Sequence, residues 1–195
     1  MKKLFYTGVL ATALFAMQAC NSGSKDSKET ADSLNMTKDT ATNTAATGGI
    51  AVDETDAKFA TDAANGGMAE VALGKLALEK STNASVKEFA TMMVNDHGRA
   101  NEELMGIATM KNITLPADVD TEHKKKADEL SKKTGKDFDK DYVDAMVDGH
   151  KKTLKLMQDE AKDGKDAELK AFAAKTAPIV QAHLDMINKI HDGMK

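Results

Sequence analysis

From residue 53 to the C-terminus, apolar residues recur at alternating spacings of three and four, the period of an amphipathic helix. The first run predicts a helix from Asp53 to Lys80, with Phe59, Ala63, Gly66, Glu70, Leu73 and Ala77 on one stripe. Ser81-Thr82-Asn83 offers capping side chains for a second helix, whose seam is Val86, Ala90, Met93, His97, Ala100, Leu104 and Ile107. Asn112 to Pro116 ends that helix. A third, from near Lys136 to Asp163-Gly164, aligns Val143, Val147, His150, Leu154, Met157 and Ala161. The fourth starts near Asp166 and aligns Leu169, Ala173, Thr176, Val180, His183, Ile187 and Ile190. Pro178 inside it is expected to loosen one turn or to kink it.

The second and third helices are joined by a long connection in which Thr121 to Thr134, polar and Lys-rich, reads as a short surface helix. The other connections are only a few residues long and force antiparallel neighbours. This layout predicts an all-α, ferritin-like four-helix bundle with a long crossover carrying a short extra helix. Composition agrees. Only 4% of the 195 residues are aromatic and none is Trp, which weighs against a β-sandwich or a doubly wound sheet.

Lys and Arg number 27 against 31 Asp and Glu, so no basic footprint for nucleic acid exists. A single Cys excludes an intrachain disulfide and a multi-thiolate metal site. That Cys has a telling position. Met1-Lys2-Lys3 is followed by an apolar run from Leu4 to Met17, too short to span a bilayer but suited to a signal peptide covering residues 1–19. Ala19-Cys20 then resembles the lipobox of bacterial lipoproteins, although Met17 and Gln18 differ from its usual residues. Lipidation of Cys20 would make the membrane the partner, through an N-terminal anchor; ordinary cleavage near Ala19 would instead leave a free thiol. Asn21 to Ile50 has almost nothing to bury and is expected to be a disordered tether, so that residues 20–52 lead into a folded domain at 53–195. The expected location is the cell envelope, on the periplasmic or surface side, as an outer-membrane lipoprotein.

Each apolar stripe is interrupted by one ionisable residue: Glu70, His97, His150 and His183. At 1.5 Å rise per residue the four reach nearly one level, provided the crossover returns the chain to its starting end. A lone His on an apolar face is usually a hydrogen-bonded core residue. Four such groups at one level need a shared partner, since burying them alone costs several kcal/mol. They are the candidate ligands of a transition-metal ion: Zn, Cu or Fe. Asp96, Asp139 and Asp148 are candidate supporting acids, while His123 and His191 read as surface residues. Met93, Met146 and Met186 each lie one turn from an imidazole, which suits copper but equally suits core filling. Buried imidazoles are expected to be neutral in the fold, with depressed pKa values. Gly66-Gly67 follows no strand, so it is no phosphate loop; it permits close helix approach or a bend.

Several runs together resemble a known family: Glu70-Val71, Leu73-Gly74-Lys75-Leu76-Ala77, Val86-Lys87-Glu88-Phe89-Ala90, Asp96-His97, Leu115-Pro116, Phe138-Asp139, Tyr142-Val143, His150 and Leu169-Lys170-Ala171-Phe172-Ala173. The chain is similar, over Asp53 to Ile190, to the bacterial domain of unknown function 4142 family of small, exported, predicted ferritin-like proteins. The resemblance implies that fold and setting, and marks Glu70, Asp96, His97, Asp139, His150 and His183 as the family's polar positions. It implies no established activity. Residues three before His97, His150 and His183 are Val94, Val147 and Val180, so the Glu-x-x-His pairs of di-iron enzymes are missing. The sequence therefore points to a mononuclear, His-rich binding protein for storage, delivery or protection more than to an enzyme, with redox chemistry on a bound transition metal as a weaker option. An alternative is a non-catalytic envelope interaction module with a metal-free polar core.

Overall fold

The computed structural model describes residues 26–39 and 49–194. Cys20 and the run from Leu4 to Met17 lie outside them. All regular structure among the described residues is helical: α1 Ser27–Asp39, α2 Glu54–Lys80, α3 Ala84–Met110, α4 Thr121–Ser131, α5 Gly135–Asp163 and α6 Ala167–Gly193. The starts of four helices coincide with side chains able to satisfy free N–H groups. Asp53, Asn83, Asp120 and Asp166 each accept backbone N–H bonds from the first turn that follows. α6 continues through Pro178 without a break. The residue is exposed, so the carbonyl freed one turn earlier can meet water.

The four long helices pack α2 on α3 and α5 on α6, and the two pairs meet through α2 with α5 and α3 with α6. Their apolar residues form two clusters. One joins Phe59, Ile107, Met157, Leu169 and Phe172, from the start of α2, the end of α3, the end of α5 and the start of α6. The other joins Ala77, Val86, Phe89, Phe138, Tyr142 and Ile187, from the opposite helix ends. α3 and α5 therefore run in the same direction, and the segment between them returns the chain along the molecule. α4, inside that segment, rests on α2 and α5. α2 and α3 approach closely at Gly74, where an added Cβ would sit 3.1 Å from the Ala90 carbonyl oxygen and 3.2 Å from Met93 Cβ.

The expectation of disorder from Asn21 to Ile50 does not hold for Ser27–Asp39, which is helical and packs on α2. Its apolar contribution is small, chiefly Ala31. Polar clasps do the rest. Asn35 donates to the Thr114 carbonyl at 2.9 Å and accepts from Thr114 N at 2.7 Å. Lys38 donates to the Asn112 carbonyl, and Lys28 pairs with both Asp32 and Asp62 at 2.7 Å. Asn35→Ala is expected to destabilise the docked helix by about 1–3 kcal/mol, because the half-buried backbone groups of Thr114 lose the buried Asn35 amide as their partner. Hydrogen exchange of α1 should rise while that of α2 and α3 stays protected; unchanged α1 exchange would refute the clasp.

At the turn from α5 to α6, Asp56 accepts from Lys165 N at 3.1 Å and Asp166 N at 2.6 Å. The buried Glu160 carboxyl beside it has an Oε1 without a hydrogen-bond partner. Burial first, and then the charge of Asp56, push the Glu160 pKa from 4.5 up to about 7. A folded-state pKa above the unfolded one means that stability is lost as pH rises through that window. Glu160→Gln should thus raise the melting temperature at pH 8 relative to the parent chain, with the gain shrinking toward pH 4.5. A gain independent of pH would show that Glu160 stays ionised.

Candidate metal centre

Between the two apolar clusters the interior turns polar. Glu70 from α2, His97 from α3, His150 from α5 and His183 from α6 are at most 5% exposed. The ring centroids of His97 and His183 lie 5.3 Å apart, and His150 is 5.6 Å from each of them. One ligand atom from each imidazole falls within 4.8 Å of the others. The heights estimated from helical rise thus bring the four residues together.

Each ring has one nitrogen engaged and one left over. His150 Nδ1 donates to the Met146 carbonyl at 2.8 Å, and lies 3.6 Å from Glu70 Oε1. His183 Nε2 meets Asp96 Oδ2 at 2.9 Å. A carbonyl and an ionised carboxylate only accept, so these nitrogens carry the protons. His97 Nδ1 is held 2.9 Å from Glu70 Oε2, an ion-pair contact too oblique for a well-formed hydrogen bond. The remaining atoms, His97 Nε2, His150 Nε2 and His183 Nδ1, are buried and have no hydrogen-bond partner. Three unpartnered imidazole nitrogens in one interior pocket are costly unless something binds them. A cavity of about 10 Å³ borders His97, Glu70, Thr153 and Thr176, room for roughly one water.

Glu70 has a different place from the one its sequence position suggested. It stands beside the rings, its Oε1 accepting from Thr153 Oγ1 at 3.3 Å, and does not join the converging nitrogens. Burial would raise its pKa, but the charge of His97 and the nearness of His150 outweigh that and hold it low. For His97 burial opposes protonation, and the Glu70 carboxylate overrides it, so the net shift is upward. His150 and His183 are pushed down, first by burial and further by neighbouring imidazoles. The expectation that all three imidazoles are depressed therefore fails at His97, because one of them neutralises a buried carboxylate.

The outer acids divide. Asp96 holds His183 and pairs with Arg99. Asp139 is buried with Oδ1 unpartnered. Asp148 is exposed and lines the groove between α2, α4 and α5. His123 is half-buried rather than free on the surface, bound to Asp120 at 2.7 Å and near Asn65. His191 faces Asp144 at 3.3 Å. Met93 and Met146 are buried in the apolar cluster, which is the core-filling role.

Sequence reasoning missed three contributors. Phe89 packs edge-on against His150 and His183, with centroids at 5.7 and 6.4 Å, and closes one side of the ring cluster. Thr153 follows His150 by three residues on the same face, a spacing that could have flagged it. Tyr142 is buried with an unpartnered hydroxyl, its pKa raised by burial and by the charge of Glu70.

Fold and site together define an all-helical protein whose four long helices each place one ionisable side chain in a common buried centre. The chain belongs to the family described as Domain of unknown function (DUF4142), whose model matches residues 24–190. No curated protein and no solved structure matches it.

Replacing Glu70 by Gln removes the charge that keeps His97 protonated and leaves the opposing effect of burial. The His97 titration midpoint, followed by NMR of the ring protons, is expected to fall below 6.5. A midpoint that does not move would mean that Glu70 does not set the charge of that ring.

Proposed function

We propose that the chain is an exported bacterial lipoprotein whose core is a ferritin-like four-helix bundle binding one transition-metal ion, for storage, delivery or stress protection. The observation that carries this reading is the set of three buried, unpartnered nitrogens on His97, His150 and His183, each ring held from behind by an oxygen. Imidazole ligands in proteins are commonly oriented in this way, with the second ring nitrogen held by a carboxylate or a backbone carbonyl. The return of the chain between α3 and α5, and the pairing of helices, support the ferritin-like topology.

Imidazole suits Zn, Cu and Fe. Nitrogens at about 2.0–2.1 Å from a tetrahedral ion are about 3.3 Å apart, so binding would draw the three rings inward. It would also release a proton from His97, because a ligating nitrogen must be free of its own. Glu70 would then remain as the counter-charge behind His97.

Protein reconstituted with Zn, Cu or Fe should retain one ion per chain by elemental analysis, with a raised melting temperature. His150→Ala should lose both. No retained metal in the parent chain would leave the metal-free polar core and an envelope interaction role.

The envelope location rests on the Ala19-Cys20 pattern and the preceding apolar run. Cys20→Ser is expected to shift the protein from the membrane to the soluble fraction. A parent chain that is already soluble and starts at Asn21 or later would overturn the anchor.

A further inference from the structure

The ring cluster is walled by Phe89 on one side, but not on the side of Glu70. A groove of about 1160 Å³ runs between α2, α4 and α5, and Glu70 and Thr153 are part of its lining. The same Glu70 lies 2.9 Å from His97 and 3.6 Å from His150. Both contacts are to the Nδ1 atoms at the backs of the rings, so one buried carboxylate stands between the groove and the His97 and His150 imidazoles.

Two glycines keep that partition bare. A Cβ at Gly149 would sit 3.9 Å from Glu70 Oε1, and one at Gly66 would sit 3.9 Å from Thr153 Oγ1. Neither Cβ is crowded, and a side chain at Gly149 would start against the Glu70 carboxylate while one at Gly66 would start against Thr153. The groove lining carries charges of both signs. Lys133 is paired with Asp141, Lys28 with Asp62 and Lys126 with Glu129, while Asp148, Lys132 and Lys152 have no ion-pair partner among the described residues. Inward from Asp148 stands Glu70, with an Oε2 lacking a well-formed hydrogen bond. Surface acids raise the local concentration of cations, and an inner carboxylate can exchange water ligands of an ion one at a time.

We infer that the groove between α2, α4 and α5 is the route by which a divalent transition-metal ion reaches the three-histidine centre, with Glu70 as the transfer ligand at its inner end. The inference rests on the metal-binding reading above and adds a path to it. The ion loses part of its water shell to Glu70 and passes to His97 and His150, which flank that carboxylate. His183, on the far side and held by Asp96, completes the set last.

Stopped-flow absorbance with cobalt(II) as the probe tests the route, since its visible bands report nitrogen ligation. Gly149→Leu and Gly66→Leu should slow loading at least tenfold while the final stoichiometry stays at one ion per chain. Asp148→Lys should slow it severalfold at low salt, with the difference vanishing at high salt. Gly106→Leu, on the exposed face of α3 with nothing near an added Cβ, serves as the control and should load at the parent rate. Parent-rate loading in both Gly149→Leu and Gly66→Leu would overturn the route and leave metal binding intact. Should Gly149→Leu also lose the ion, the rate in Gly66→Leu decides. A parent chain that takes up no cobalt would overturn route and metal-binding reading together.

Discussion

The buried contact between Glu70 and His97 governs the arrangement around it. A carboxylate in an apolar interior needs a partner, and the His97 ring, whose pKa Glu70 raises against the effect of burial, is that partner. Meeting that demand turns one ring edge of His97 toward α2 and presents the other edge to the middle of the four helices. His150 and His183 are fixed from behind by a backbone carbonyl and by Asp96, with the same consequence for their free nitrogens. The interior therefore holds three buried imidazole nitrogens that no group of the described residues satisfies.

Such a centre lowers stability, and its position in the fold shows how the loss is offset. Apolar clusters flank it on both sides along the helix axes, one around Phe59 and Phe172, the other around Phe89, Phe138 and Tyr142. Each fully buried aromatic or aliphatic side chain contributes on the order of 1.5–3 kcal/mol relative to exposure. Edge-to-face contacts of Phe89 with two of the imidazoles join the polar layer to the cluster below it. The polar layer can stay unsatisfied because the four helices are already held together at both ends.

The outer helices serve a different purpose. α1 and α4 add little apolar burial, and are fastened by side-chain clasps: Asn35 to Thr114, and Asn65 with Asp120 beside His123. α4 spans α2 and α5 at the level where those two leave a groove, so the returning segment both closes the topology and shapes the approach to Glu70.

By itself the sequence determined the four long helices, their capping residues and the stripe on which each ionisable residue sits. Periodicity and capping are local, set by residues within two turns of one another, so they can be read without knowing the fold. Matched distances from the connecting turns also determined that Glu70, His97, His150 and His183 share a level. The tertiary structure alone decided the rest. α1 escaped detection because Asn35 and Lys38 bind residues more than seventy positions away, and a polar segment shows no periodic trace of such partners. The roles within the centre depended on rotamers: whether Glu70 ligates or supports, and whether His97 is charged, turns on a few ångströms between side chains of different helices. Phe89, Thr153 and Tyr142 joined the site for the same reason, because helix packing, and not spacing along the chain, chooses which neighbours face a buried charge.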